Sequence, residues 1–133
     1  MPNQAGRQIG DANFSTSKAF PAAAASASSN SFDLGKNYLT PANIEGQITW
    51  PAVAGLADSK NVVFTVEHSD DDSTYSTAGI TKTITGAGGL GVAKGEFLYR
   101  LPSNAKRYIR VTAALDSAGG TITASSFTHA LLF

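Results

Sequence analysis

Between residues 62 and 67 the bulky apolar side chains recur at every second position. Val62, Phe64 and Val66 fall on one side of an extended chain, Thr65 and Glu67 on the other. A period of two puts every second residue on one face of a strand, whereas a helix would gather positions three and four apart. The pattern returns in Phe97, Tyr99 and Leu101. It returns again in Ile109, Val111, Ala113 and Leu115, opposite Tyr108, Arg110 and Thr112. Residues 32–34, 44–50, 79–85 and 121–133 are strand-like as well, and turn-forming clusters at 69–73, 86–91, 102–105 and 116–120 separate most of these runs. No strand–helix–strand unit interrupts them. The expectation is an all-β chain: an antiparallel β-sandwich or jelly roll of seven or eight short strands.

Composition agrees. Of the 42% hydrophobic residues a large share is alanine, leaving a modest set of bulky side chains for a core, and Ser, Thr and Gly are abundant. Such a chain favours strands and turns over a helical bundle. Ten basic residues balance ten acidic ones, so the global positive field that drives nonspecific nucleic-acid binding is missing. No run approaches a membrane span, and the first residues lack the pattern of a secretory signal, so neither nucleic acid nor membrane is an expected partner. With no cysteine, disulfides, thiolate metal sites and cysteine nucleophiles are excluded.

Residues 1–31 hold one Ile, two Phe and no Leu or Val, and 21–31 read PAAAASASSNS. That is too little apolar area for independent folding, so this region is expected to take its order from whatever it lies against. We divide the chain into an extended N-terminal arm, residues 1–16, and a β domain, residues 17–133. Arg7, Ile9 and Phe14 are the arm's candidate contacts with a partner.

Motifs that would signal chemistry lack their context. The run 86–91, GAGGLG, satisfies a GxGxxG dinucleotide pattern, but a strand rather than a helix follows it, so a flexible loop is expected instead of a phosphate cradle. Asp70, Asp71 and Asp72 lack the alternating ligands, glycine and closing glutamate of a calcium loop and read as a solvated hairpin turn. His68 and His129 come without a nucleophile elbow or a paired-histidine metal spacing. Trp50, at a strand end, is expected to cap the core rather than serve as a sugar-stacking platform. No enzyme activity, cofactor, metal or small-molecule substrate is therefore expected. Two charge patches remain: Asp70, Asp71 and Asp72 with Glu67, and Arg100, Arg107 and Arg110 with Lys106. They could pair within one subunit or across a subunit interface, and we mark them as candidate interface patches.

One ordered series stands out: FDLG at 32–35 after the small-residue arm, VFTVEHSDDDSTY at 63–75, GEFLYRLP at 95–102, KRYIRV at 106–111 and GGTITA at 119–124. In this order the motifs, over about residues 17–133, resemble the jelly-roll capsid cement, or decoration, proteins of tailed bacteriophages. The resemblance implies a non-enzymatic virion protein, made in the host cytoplasm, that binds the outer capsid surface as a homotrimer. Its partners would be the major capsid protein, whose subunits it bridges against internal pressure, and further copies of itself. A discoidin-like carbohydrate-binding module and a phage tail or baseplate accessory domain are the alternatives of similar fold.

Overall fold

The alternating runs become strands in the computed structural model, which describes residues 10–35 and 44–132. Among the described residues nine strands form: β1 (Gly10–Ala19), β2 (Ser26–Ser28), β3 (Phe32–Asp33), β4 (Glu45–Trp50), β5 (Asn61–Ser69), β6 (Ser76–Thr85), β7 (Gly95–Arg100), β8 (Tyr108–Leu115) and β9 (Ser126–Leu132). One sheet runs β1-β9-β4-β7. The other runs β2-β8-β5-β6, with β3 beside β2 on the same edge of β8. All strand pairings are antiparallel. β1 pairs with β9, β2 and β3 with β8, β4 with β7 and β5 with β6, so the chain is doubled on itself and wound across two sheets. That is the jelly-roll winding expected from the alternation.

The period of two is preserved in the burial. Val62, Phe64 and Val66 of β5 and Ile109, Val111 and Ala113 of β8 are sealed between the sheets, while Thr65, Glu67, Arg110 and Thr112 lie on the outer face. Aromatic rings join the layers. Phe64 of β5 stacks on Trp50 of β4 at 5.6 Å and meets Phe127 of β9 edge-on at 5.3 Å, and Phe20 closes the group 5.4 Å from Phe127. Each such side chain contributes about 1.5–3 kcal/mol by leaving water, and ring pairs add about 0.5–1.5 kcal/mol. A few large rings thus compensate for the many alanines.

Two boundaries differ from the sequence reading. The final strand begins at Ser126, because residues 121–125 turn to reach it and Ser125 N–H closes on the Ile122 carbonyl at 3.1 Å. Residues 10–16, assigned to the arm, are part of β1. Ser15 and Thr16 pair with Ala130 and His129, and the half-buried Phe14 ring meets Phe32 edge-on at 5.8 Å. A polar strand with a single large apolar residue is stabilised here by the ladder it shares with β9, which composition alone does not reveal. Arg7 and Ile9 lie outside the described residues.

The small-residue stretch behaves similarly. Residues 26–28 form β2 on the edge of β8, and the Ser28 and Thr112 hydroxyls hydrogen-bond at 2.8 Å. Where the edge strand breaks between β2 and β3, the Ser29 hydroxyl accepts the Val111 N–H at 3.0 Å, so the buried backbone of β8 stays satisfied.

Candidate interaction surfaces

The strand connections gather at two ends. At one end β5 turns into β6 through residues 70–75 and β7 into β8 through 101–107, with β3 nearby. Charged side chains are concentrated here, and they engage one another within the chain. Arg107 makes a two-pronged contact with Asp33, at 2.7 and 2.9 Å, and Arg110 binds Glu67 at 2.8 Å while its guanidinium lies 3.8 Å from the centre of the Tyr75 ring. Lys106 stands 3.5 Å from Asp70, and Arg100 pairs with Glu45 at 3.1 Å along the β4–β7 ladder. The patches marked as interface candidates are thus largely occupied within the subunit. Their intramolecular partners were invisible in the sequence because Asp33–Arg107 and Glu67–Arg110 are strand-pair neighbours or near neighbours far apart in the chain.

The acidic turn is built, not merely hydrated. Asp71 accepts hydrogen bonds from the N–H groups of Thr74 and Ser73 at 2.9 Å and from the Ser69 hydroxyl at 2.8 Å, which hold its carboxyl down at about 2. Asp72 adopts a left-handed backbone and accepts the Tyr75 hydroxyl, chiefly for which reason its pKa is lowered. Asp33 is likewise held down at about 2 by Arg107 and by the Gly35 N–H. Among the described residues no three His, Asp or Glu side chains are grouped to hold a metal ion.

Both histidines are structural. His68 is buried at the end of β5, where its Nδ1 accepts the Lys106 N–H at 3.3 Å; burial first and Lys106 second lower its pKa. His129 is 0% exposed, packed between Phe32 and Tyr99, with Nε2 2.5 Å from the Tyr99 hydroxyl and Nδ1 without a partner. Tyr99 reaches it across Gly46 of β4, where a Cβ would fall 2.0 Å from the tyrosine ring. Burial pushes the phenol up and the imidazole down to about 3, so both are neutral.

At the other end, residues 20–25, 51–60, 86–94 and 116–125 come together. The segment 51–60 is the hub. Val53 and Val92 exchange backbone hydrogen bonds at 2.8 and 3.1 Å, Gly86 N–H reaches the Lys60 carbonyl at 3.0 Å, Ala57 N–H reaches Gly119 at 2.9 Å, and Ala24 N–H reaches Asp116 at 3.2 Å. Val53, Leu56 and Ile122 point inward and plug this end of the core. The GAGGLG run is not the flexible loop expected. It is a tight hairpin turn, with Leu90 N–H on the Ala87 carbonyl at 3.1 Å and left-handed Gly88 and Gly89 at its centre, tied down by the Asp58 carboxylate accepting Gly89 N–H at 2.8 Å. Positive φ at both central positions is the geometry that favours glycine there. No helix start is present to receive a phosphate.

Shallow depressions flank Thr49 and Trp50, one bounded by Lys94, Gly95 and Glu96 and the other by Pro51, Ser126 and Thr128. Trp50 is only 7% exposed and its indole N–H donates to the Ala93 carbonyl at 3.1 Å, so it offers no ring face for a sugar. The exposed large apolar residues among those described are Leu90, 80% exposed at the turn tip, and Leu98, 52% exposed on the outer face of β7.

No curated protein matches the chain significantly. A family model, Bbp16, matches residues 14–131, the whole sandwich from the Phe14 contact to the last strand, and the chain belongs to the Bbp16 family.

Proposed function

We propose that this protein is a non-enzymatic structural component of a phage virion, a cement protein that binds the outside of the capsid as a homotrimer and ties neighbouring major capsid subunits together. The observation that carries the reading is the jelly roll itself: its polar groups are spent on turns, ion pairs and strand ladders rather than gathered into a reactive pocket. The ordered motif resemblance supports it. The Bbp16 family match spans the same sandwich. Cementing needs no chemical step, because three modest contacts on one trimer raise the effective concentration of the second and third and lengthen residence.

The experiment has two parts. Mass photometry of the free protein should give a species near three times 13.7 kDa. Undecorated capsids incubated with the protein and sedimented should retain it and resist heat better than bare capsids, since a ligand of the assembled state stabilises that state. A protein that stays in the supernatant and leaves capsid melting unchanged would count against the reading.

A further inference from the structure

β6 closes one edge of its sheet: it pairs with β5 on one side and, among the described residues, with no strand on the other. Of its ten residues, STAGITKTIT, the one that carries charge is Lys82. A long edge of this kind presents a row of backbone donors and acceptors to any strand that reaches it. Beyond the bulge at Ala78 and Gly79, the regular ladder runs Ile80-Thr81-Lys82-Thr83-Ile84, which reads the same in both directions. The cross-strand pairs set its faces. Ile80, Lys82 and Ile84 lie opposite Val66, Phe64 and Val62 on the core side, while Thr81 and Thr83 lie opposite Thr65 and Val63 on the outer side. Lys82 therefore points inward, half-buried, with Nζ 5.9 Å from the centre of the Phe97 ring in the facing sheet.

We infer that Lys82 is a guard that keeps β6 from pairing with β6 of a second copy. The palindrome selects that occupant. Two-fold antiparallel pairing needs a self-complementary strand, and a register centred on Lys82 sets Ile80 against the partner subunit's Ile84 and Thr81 against the partner subunit's Thr83, apolar to apolar and hydroxyl to hydroxyl. The same register sets Lys82 against its own copy. Like charges directly opposite repel, and continuing the sheet draws both ammonium groups out of water toward the Phe97 rings. β1, the other ten-residue edge strand, has the same arrangement: the exposed Lys18 lies opposite the buried Phe127. The remaining edges are short, with three residues in β2, two in β3 and six in β7, which also limits pairing. Copies that associate as proposed above thus meet on surfaces other than the β6 edge.

The test uses the full-length protein without capsids. Lys82→Thr keeps a good strand former and removes the charge, whereas Lys82→Glu reverses it; thermal unfolding is checked first, and Lys82→Gln replaces Lys82→Thr if that variant does not fold. In sedimentation velocity over a concentration series, Lys82→Thr should self-associate at least about tenfold more tightly than wild type, into a species of twice the wild-type mass or more. Lys82→Glu alone should behave as wild type. An equimolar mixture of wild type and Lys82→Glu should associate, because the two-fold register now sets the ammonium against a carboxylate. Wild-type behaviour of folded Lys82→Thr would overturn the inference. So would self-association of Lys82→Glu alone, or a mixture that stays apart while Lys82→Thr associates, since either removes Lys82 from the axis of pairing. Retention on capsids plays no part in these measurements, so the cement reading stands or falls separately.

Discussion

At one end of the sandwich, turns 70–75 and 101–107 carry acids and bases that pair with charged side chains of the neighbouring strands and turns; at the other, four connections are held mainly by backbone hydrogen bonds, with Asp58 and Asp116 accepting backbone N–H groups. The first end satisfies its polar groups with its own side chains. The second satisfies its backbone and leaves its apolar tips to water. The comparison teaches that abundance of charge does not by itself mark an open binding surface, since paired surface charges are already engaged with one another.

The comparison can be tested most forcefully at the strand that frames the charged end. A chain starting at Gly10 should fold as the full protein does, whereas one starting at Ser17 loses Phe14, its contact with Phe32 and the Ser15 and Thr16 pairings. We expect a loss of about 3 kcal/mol or more in urea unfolding, from one half-buried aromatic and several ladder bonds. Equal stability of the two chains would return residues 10–16 to a free arm.

Acid should weaken the same end next. Unfolded His129 titrates near 6.5 and the folded residue near 3, so between these values the unfolded state holds the extra proton. The stability gained by keeping the ring neutral is full above pH 6.5 and is lost as pH falls toward 3, by about 1.4 kcal/mol per pKa unit and a few kcal/mol in all. His68 is shifted in the same direction. Replacing His129 and Tyr99 together by Phe removes both polar groups at nearly constant shape, and the acid slope measured by urea midpoints from pH 7 to 4 should flatten. Below pH 4, Asp33 and Asp71, held down at about 2, lose their hydrogen bonds on protonation and add a further fall in stability.

A smaller effect sharpens the end held by backbone hydrogen bonds. At Gly91 a Cβ would fall 1.8 Å from the Val53 carbonyl oxygen, whereas at Gly88 nothing lies within 4 Å and only the left-handed backbone resists a side chain. Gly91→Ala should therefore cost about 2–3 kcal/mol and Gly88→Ala about 1 kcal/mol, by thermal unfolding. Equal costs would mean that the connections are not locked as described. The smallest change in thermal unfolding is expected for Arg107→Ala, because its partner Asp33 stays hydrated, and that loss should shrink further in 0.5 M salt.

Much of the fold was legible. Val62, Phe64 and Val66 announced an inward face by local spacing, and Trp50 was correctly placed in the core because a lone indole at a strand end is best buried with its N–H near an acceptor. The packing of Phe14 was hidden for the opposite reason: the residues that order it, in β3 and β9, are distant in the chain, and its own neighbours are polar. The GAGGLG run was misjudged because glycine permits both a mobile loop and a tight turn, and the Asp58 carboxylate that decides between them lies about thirty residues away.

What the sequence alone determined is the part governed by near neighbours: strands rather than helices, which face of each is apolar, where the chain turns, and the near-neutral charge. Those follow from a period of two and from residue chemistry within a few positions. Pairing belongs to the tertiary structure: β1 with β9, Arg110 with Glu67, Tyr99 reaching His129 across Gly46, and four connections meeting at one end of the sandwich. Each of these joins residues far apart in the chain, so its energy exists only after the sheets have wound together.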